Sequence, residues 1–415
     1  MVDFDKYQLN NGLTVILHYD STTPMVVVNT LYDVGARDEQ DQKTGFAHLF
    51  EHLMFGGSIN IPEFDTELQK AGGESNAFTS NDLTNYYDVV PAQNIETALW
   101  LESDRMLSLA FTEKSLEVQK NVVIEEFKQR YLNQPYGDIW LHLRPLAYEN
   151  HPYKWATIGK DISHIENATM EDVKSFFKTF YTPANAILCI SGHFNKDSIR
   201  GQIEKYFGDI PGNPKPIRPD FVEPQQEKYK SKDIYSNVPA KAFYYAFKMG
   251  SRKSKEYYLG DLMSDAIGKD NTSLLNIKLK KELDLVSEIN AFITGSIDCG
   301  LFIISGKISE GIGFEELDTQ LWKILDEIKT SGVGDQKLKA LKNKIQTAKA
   351  FQEQGLLNRS INLSYFELLG DAQDINKEEM KYQKIKDEDL RLFAKNLFVK
   401  KNCSLLKVHH HGSKK

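Results

Sequence analysis

The segment Thr44-Gly-Phe-Ala-His48-Leu-Phe-Glu51-His52-Leu-Met-Phe55 has the apolar spacing of a helix with one buried face. His48, Glu51 and His52 stand at i, i+3 and i+4, so they share the opposite face. Two imidazoles one turn apart can reach the same metal ion, with a carboxylate beside them. In the order H-x-x-E-H, both histidines bind Zn²⁺ and the glutamate takes a proton from water. The pattern therefore predicts His48 and His52 as zinc ligands and Glu51 as a catalytic base.

A catalytic zinc requires a third protein ligand and an open fourth position. The candidates lie on a second predicted helix, Leu116-Glu-Val-Gln-Lys-Asn-Val-Val-Ile-Glu125-Glu126-Phe127. Adjacent helix residues point about 100° apart, so only one of Glu125 and Glu126 can face the ion. The periodicity of the segment does not decide between them. The alternative interpretation requires no metal: both helix faces are solvated, and they carry two structural histidines and an acidic pair.

The length of 415 residues exceeds that of one ordinary core and predicts two domains. The clearest change in composition runs from Gly208 to about Lys230, where prolines follow in quick succession: Pro211, Pro214, Pro216, Pro219 and Pro224. Proline at this density cannot continue a helix or an interior strand. We therefore predict a zinc-binding catalytic domain at 1–210, a Pro-rich linker at 211–230 and a second domain at 231–415.

Short β-branched and aromatic segments predict strands in both halves of the chain, with helices between them. The expected strands are 13–18, 25–32, 86–90 and 185–191 in the first half, and 241–248, 285–294 and 301–307 in the second. Neighbouring strand pairs with helices gathered between them indicate an α+β fold, in which helices pack on one face of a largely antiparallel sheet. There is no tight sequence repeat, so any duplication would be structural only.

Composition and charge exclude several classes of protein. A chain that is 41% hydrophobic and 26% charged is globular, and no run approaches the ~20 apolar residues of a membrane span. The net charge of −7, without a long basic run, argues against nucleic acid as a partner. The three cysteines, Cys189, Cys299 and Cys403, are too few and too scattered for a disulfide scaffold or a thiolate cluster.

The two ends of the chain bear on the expected location and on the tail histidines. The N-terminus, Met1-Val-Asp-Phe-Asp-Lys6, lacks the basic and apolar regions of a signal peptide. A cytoplasmic location is therefore expected, or a periplasmic one if a leader was removed. The tail His409-His410-His411-Gly-Ser is interpreted as a tag remnant or a loose end and not as a metal site.

Together, the H-x-x-E-H motif and the later acidic helix resemble the pitrilysin/insulinase family of inverted zinc peptidases. Other stretches agree: Asn11-Gly12-Leu-Thr-Val, Gly72-Gly73-Glu-Ser-Asn-Ala-Phe-Thr79, His151-Pro-Tyr153 with Gly159, and Tyr181-x-Pro183-x-Asn185. The first half of the chain resembles the family strongly, whereas the second half resembles it only in the arrangement of its predicted strands and helices. The resemblance implies two similar α+β domains that form one half-shell of a two-part chamber.

The resemblance also assigns residues around the metal. It implies that Glu126 is the third ligand of one zinc ion per chain and that Glu125 is only its neighbour. Family members usually have a second Glu seven residues before this ligand, on the same helix face. Here that position is Gln119, which points at the site but cannot carry a charge or accept a proton.

For the substrate, the resemblance implies an exposed edge strand around residues 72–80, to which a peptide adds by main-chain hydrogen bonds. Asn76, Ala77 and Phe78 would contact the peptide near the scissile bond. Because backbone pairing is insensitive to side chains, we expect broad specificity for unstructured peptides. The implied function is that of a zinc endopeptidase acting on peptides or unfolded polypeptide segments inside a closed chamber.

The second half of such proteins usually supplies an Arg and a Tyr, seven residues apart, that polarise or position the scissile carbonyl. The matching positions here are Lys280 and Ser287, which have neither the planar guanidinium nor the reach of the pair. The resemblance therefore implies a heterodimer in which a partner subunit of similar size supplies the Arg and the Tyr. The alternative is a non-catalytic core or scaffold subunit, although such members typically lose part of the zinc motif.

Overall fold

The computed structural model describes residues 1–411, which form helices and strands in both halves of the chain. The strands are β1 (Asp5–Gln8), β2 (Thr14–Tyr19), β3 (Met25–Tyr32), β4 (Glu74–Thr79), β5 (Thr84–Pro91), β6 (Ala186–Gly192), β7 (Lys230–Ser236), β8 (Ala242–Met249), β9 (Val286–Ile293), β10 (Gly300–Ile308) and β11 (Cys403–His410). The α-helices are α1 (Phe46–Leu53), α2 (Phe64–Lys70), α3 (Ile95–Leu107), α4 (Glu113–Phe127), α5 (Ile139–Ala147), α6 (Ile162–Glu166), α7 (Met170–Phe180), α8 (Ile199–Phe207), α9 (Lys255–Ile267), α10 (Phe314–Ser331), α11 (Asp335–Gln352), α12 (Leu356–Leu369), α13 (Glu378–Gln383) and α14 (Asp387–Leu397). Within residues 1–411, no helix is both long enough and apolar enough to cross a bilayer.

The chain forms two compact units that exchange segments. Unit 1 contains Met1–Lys128, Trp155–Asp220 and Lys349–Lys377, and unit 2 contains Gln129–Lys154, Phe221–Ala348 and the chain from Glu378 onward. This division differs from the linear one expected at 1–210, 211–230 and 231–415. The Pro-rich segment has neither helix nor strand between Phe207 and Lys230, and the change from unit 1 to unit 2 falls within it.

Two helices account for the exchange, because each buries its apolar face outside its own half of the sequence. α5 contributes Ile139 and Leu143 to a core of unit 2. α12 contributes Leu363 and Phe366 to a core of unit 1. Since no change in composition marks either helix, a division based on composition could not place them.

The two sheets share one topology. The strand order is β1-β2-β6-β3-β5-β4 in unit 1 and β7-β11-β8-β10-β9 in unit 2. One pair in each sheet is parallel, β2 with β6 and β7 with β11, and the other neighbours are antiparallel. Apart from β1, the strands therefore follow the same order in both units. The predicted α+β fold with two similar domains is confirmed. The two domains are alike in the order of their strands and not in a tight sequence repeat.

Each exchanged helix covers the sheet face that the other helices leave free. In unit 1, the Thr30 hydroxyl donates to Glu102 of α3 at 2.8 Å. The side-chain amide of the preceding residue, Asn29, donates to Ser364 of α12 at 3.0 Å. Successive residues of a strand point to opposite faces, so α3 and α12 lie on opposite sides of β3. Helices therefore cover both faces of the sheet, which differs from the expected packing on one face only. In unit 2, alternate residues of β8 and β11 point to opposite faces of the sheet. One set packs against α5, and the other set packs against α9, α10 and α14.

The histidine tail is part of the fold as far as His410. His409 and His410 end β11, which pairs with β7 and β8. The His409 ring lies with Nε2 at 2.6 Å from the Asp233 carboxylate, and the His410 ring with Nδ1 at 2.8 Å from the Val238 carbonyl. The interpretation of the tail as a loose end is therefore wrong for His409 and His410, because the strand pairing extends to them.

Candidate metal centre

Helix α1 is fixed to unit 1 by its apolar face. Phe46, Leu49, Phe50 and Leu53 are buried, and the Phe50 ring stacks on Tyr181 with centroids 5.0 Å apart. This packing turns the other face outward, where the side chains of His48 and His52 are 12% and 24% exposed. The helical spacing read from the sequence is therefore the spacing that places both imidazoles beside each other.

The first turn of α1 is held by Glu39, a residue that the sequence did not identify. Its buried carboxylate accepts hydrogen bonds from the amides of Gly45 at 2.9 Å and Ala47 at 2.8 Å. Burial raises the pKa of Glu39 well above its ordinary value, while these backbone hydrogen bonds oppose the rise. A capping residue normally directly precedes its helix, so the local pattern could not single out a carboxylate six positions before Gly45.

Helix α4 brings the third candidate ligand to α1. The Glu126 Oε2 atom lies 3.4 Å from Nε2 of His52 and 3.7 Å from Nε2 of His48. Glu125 points elsewhere: its side chain is 61% exposed and forms an ion pair with Lys128 at 2.7 Å. The geometry thus distinguishes the two glutamates, which periodicity could not, and it favours Glu126.

The three side chains suit a zinc ion in both chemistry and spacing. Two imidazole nitrogens and a carboxylate oxygen are a donor set found at catalytic zinc sites. Donor atoms about 2.1 Å from a tetrahedral ion lie about 3.4 Å from one another. Here one ligand atom from each of His48, His52 and Glu126 lies within 4.8 Å of the others, and the two His rings are 4.9 Å apart and nearly perpendicular. The residues therefore fit one zinc ion with little rearrangement.

Glu51 lies beside this group but does not belong to it. The set of candidate ligands among the described residues contains His48, His52 and Glu126 without Glu51. Burial raises the pKa of Glu51, against opposing contributions from Thr79 and from the His52 imidazole. A half-buried carboxylate next to a metal position, with no place among its ligands, has the location that a general base requires.

The predicted substrate residues lie on β4, the edge strand of the unit 1 sheet. Within the described chain, β4 pairs only with β5, and Asn76 stands opposite Tyr87 in the register. Asn76 and Phe78 are exposed, and Ala77 is half-buried. The Ala77 amide donates to the side-chain Oδ1 of Asn76 at 2.8 Å and not to another strand. The edge of β4 is therefore open to an added strand, and its end at Thr79 adjoins Glu51.

Gln119 lies on α4, seven residues before Glu126. It is half-buried, and its Nε2 atom would lie 3.9 Å from a Cβ atom added at Gly56, so it faces the turn that follows α1. In unit 2, Lys280 lies in the π-helical turn Asn276–Glu282 and Ser287 lies on β9, and both are exposed.

Two family models match the chain in succession. The model described as insulinase (peptidase family M16) matches residues 14–159, and the model described as peptidase M16 inactive domain matches residues 167–345. The chain belongs to peptidase family M16. The insulinase match contains all three candidate ligands and Glu51, whereas the inactive-domain match contains Lys280 and Ser287.

Relatives of this M16 chain include named zinc proteases. Zinc protease PqqE of Helicobacter pylori is 29% identical over 344 residues, which are 81% of this chain and 77% of that protein. A probable mitochondrial-processing peptidase subunit beta of Arabidopsis thaliana is 24% identical over 307 residues, which are 71% of this chain and 57% of that protein. The crystal structure of a protease from Helicobacter pylori has a TM-score of 0.92 at 25% identity and covers 98% of this chain and 99% of its own. These similarities support a peptidase of the zinc-protease type.

Proposed function

We propose that the protein is a zinc-dependent endopeptidase that hydrolyses peptides or unfolded polypeptide segments. The observation that carries the proposal is the convergence of His48, His52 and Glu126 within 4.8 Å, with Glu51 beside them and outside the ligand group. Three protein ligands leave a fourth position for substrate or water, as in catalytic and not structural zinc sites.

The roles of the residues follow from this arrangement. Zinc, when bound by His48, His52 and Glu126, supplies Lewis acidity that polarises a carbonyl and lowers the pKa of water. Glu51 accepts a proton from the attacking water and delivers it to the leaving amine nitrogen. Gln119 lies where the family usually has a glutamate, so Glu51 acts without a second carboxylate from that position.

The substrate is held on the open edge of β4. A peptide that pairs with this edge gains main-chain hydrogen bonds regardless of its sequence, and Asn76, Ala77 and Phe78 are the residues it contacts. Because the peptide must be extended to pair, folded proteins are excluded and unstructured segments are preferred. The position of Glu51 next to Thr79 brings the paired peptide to the proton acceptor.

The working form is a heterodimer with a chain of similar size. Lys280 and Ser287 stand where the family has Arg and Tyr, so this chain lacks two groups that act on the scissile carbonyl. The relative named as a processing-peptidase subunit supports a division of labour between chains. The inactive-domain match over 167–345 is the observation that favours the alternative, a non-catalytic core or scaffold subunit.

Metal content and peptide cleavage distinguish the two functions. The purified protein should contain about one zinc per chain and cleave a quenched fluorescent peptide, alone or with a partner chain that carries the Arg and Tyr. Removal of zinc by a chelator should abolish cleavage, and added zinc should restore it. A chain that binds no zinc and cleaves nothing even with such a partner would be the scaffold subunit.

A further inference from the structure

The Pro-rich segment is attached to unit 1 by an arginine. Within residues 211–220, Pro216 and Arg218 alone are half-buried, and Ile217 between them is 97% exposed. Arg218 Nη1 lies 2.8 Å from the Asp33 carboxylate, and Nε lies 2.5 Å from the carboxylate of Asp38. The guanidinium therefore bridges two carboxylates, whose side chains are 7% and 2% exposed.

Asp33 and Asp38 belong to the loop that leads from β3 into α1. Asp38 also accepts a hydrogen bond from the Gly35 amide at 2.9 Å, so its carboxylate ties the loop together. The next residue, Glu39, accepts the amides of Gly45 and Ala47 in the first turn of α1. Arg218 thus contacts Asp38, and the residue that follows Asp38 in the chain, Glu39, holds the first turn of the helix that carries His48 and His52.

We propose that Arg218 is a positioning residue for the metal centre. It fixes the loop whose Glu39 holds the start of α1, and thereby sets the place of the two imidazoles. The inference rests on the proposed zinc site, since positioning matters for a bound ion. A planar guanidinium is suited to this task because it can hold two carboxylates at once, which an ammonium group cannot do with the same geometry.

The expected effect on zinc is moderate, because Arg218 acts through other residues. Loss of a group that directly orients a metal ligand typically lowers affinity about 10- to 100-fold. Arg218 stands further from the ligands, so we expect Arg218→Ala to raise the zinc dissociation constant about 3- to 10-fold. Arg218→Lys keeps the charge without the fork and should have an intermediate effect.

Lys215 provides a matched control in the same segment. It also contacts Asp33, at 2.8 Å, but its side chain is 56% exposed, so solvent screens the pair. Lys215→Ala should leave zinc affinity within about twofold of the parent, as expected for an exposed ion pair. A general effect of lost positive charge in the segment would instead lower affinity in both alanine variants.

The test combines zinc competition with hydrogen exchange. Zinc affinity is measured against a chromophoric chelator, and exchange of the Gly45 and Ala47 amides is followed in metal-free protein. We expect weaker zinc binding and faster exchange of these two amides in Arg218→Ala. A folded Arg218→Ala protein with unchanged affinity and unchanged exchange would overturn it.

Two further outcomes remain decisive. If Arg218→Ala does not fold, Arg218→Lys takes its place, and exchange of the two amides at the parental rate overturns the proposal. If the parent binds no zinc, the proposed metal site fails. The exchange measurement then still decides whether Arg218 holds the start of α1.

Discussion

The Glu126 Oε2 atom lies 3.4 Å from Nε2 of His52, although the two residues belong to different helices, α4 and α1. A metal ion held between them would link the helices as a crosslink does. The adjacent carboxylate of Glu125 is engaged with Lys128 on the solvent side. We therefore expect substitutions of these two neighbouring glutamates to differ in their effect on zinc affinity.

Glu126→Gln should lower zinc affinity severely, and Glu125→Gln should leave it unchanged. The first change removes a ligand, so the loss should exceed the roughly 10- to 100-fold typical of outer-sphere partners. The second breaks an exposed ion pair worth about 0–1 kcal/mol. Zinc competition on both variants provides the measurement. Equal loss in the two, or loss only in Glu125→Gln, would contradict the assignment of Glu126.

His52→Ala should abolish stoichiometric zinc, since the remaining ligands cannot complete the site. His142→Ala is a suitable control, because His142 is a partly exposed histidine of unit 2 that contacts Asp138. Metal analysis after dialysis should give about one zinc per chain for the control and none for His52→Ala. Zinc at 100 times its dissociation constant should stabilise the parent by about 2.7 kcal/mol, and this gain should vanish in His52→Ala. Full zinc retention in His52→Ala would refute the site.

Glu51→Gln should retain zinc and lose turnover. Glutamine keeps the shape of the side chain but cannot take a proton, so kcat should fall about 10²- to 10⁴-fold. Zinc content and cleavage of a fluorescent peptide are measured on the same preparation. Parallel loss of zinc and activity would mean that Glu51 coordinates the metal.

The sequence predicts helix α1 and the residues that share its polar face, because that information is local. The helical period places His48, Glu51 and His52 on one face, whatever the rest of the chain does. The choice between Glu125 and Glu126 is different, since it depends on how α4 is rotated against α1. Glu39 also escaped prediction, because its role appears only when the loop after β3 folds back onto the helix.

The division into units depends on long-range packing in the same way. α12 lies far along the chain from β3, yet Ser364 accepts a hydrogen bond from Asn29. β11 is not among the strands expected from the sequence, and its last residues, His409 and His410, have the composition of a tag. Only their pairing with β7 shows that they belong to a strand. Local patterns identify elements, whereas the partners of those elements are set by the whole fold.

Gly45→Ala should destabilise the protein at the start of α1. Gly45 has φ +92°, and a Cβ atom there would lie 2.7 Å from the Ile158 carbonyl oxygen. A left-handed backbone together with this close contact should cost about 1–3 kcal/mol. Gly201→Ala in α8 is the matched control, because nothing lies within 4 Å of the added atom.

The control should stabilise unit 1 by up to about 1 kcal/mol, the usual difference between Ala and Gly in a helix. Denaturant unfolding should therefore show a lower free energy of unfolding for Gly45→Ala than for the parent, and a higher one for Gly201→Ala. Equal shifts would show that the left-handed turn before α1 is not required.

The isolated chain should be a weak peptidase that a partner subunit activates. Removing one donor that stabilises the developing oxyanion typically costs about 10²- to 10³-fold in kcat, and Lys280 and Ser287 leave this task unfilled. Addition of a similar-sized M16 chain that lacks H-x-x-E-H but carries the Arg and Tyr should raise kcat by about this factor. The same partner with its Arg replaced by Ala is the control and should bind without activating. Full peptidase activity from this chain alone, unchanged by the partner, would eliminate the heterodimer while leaving the zinc site intact.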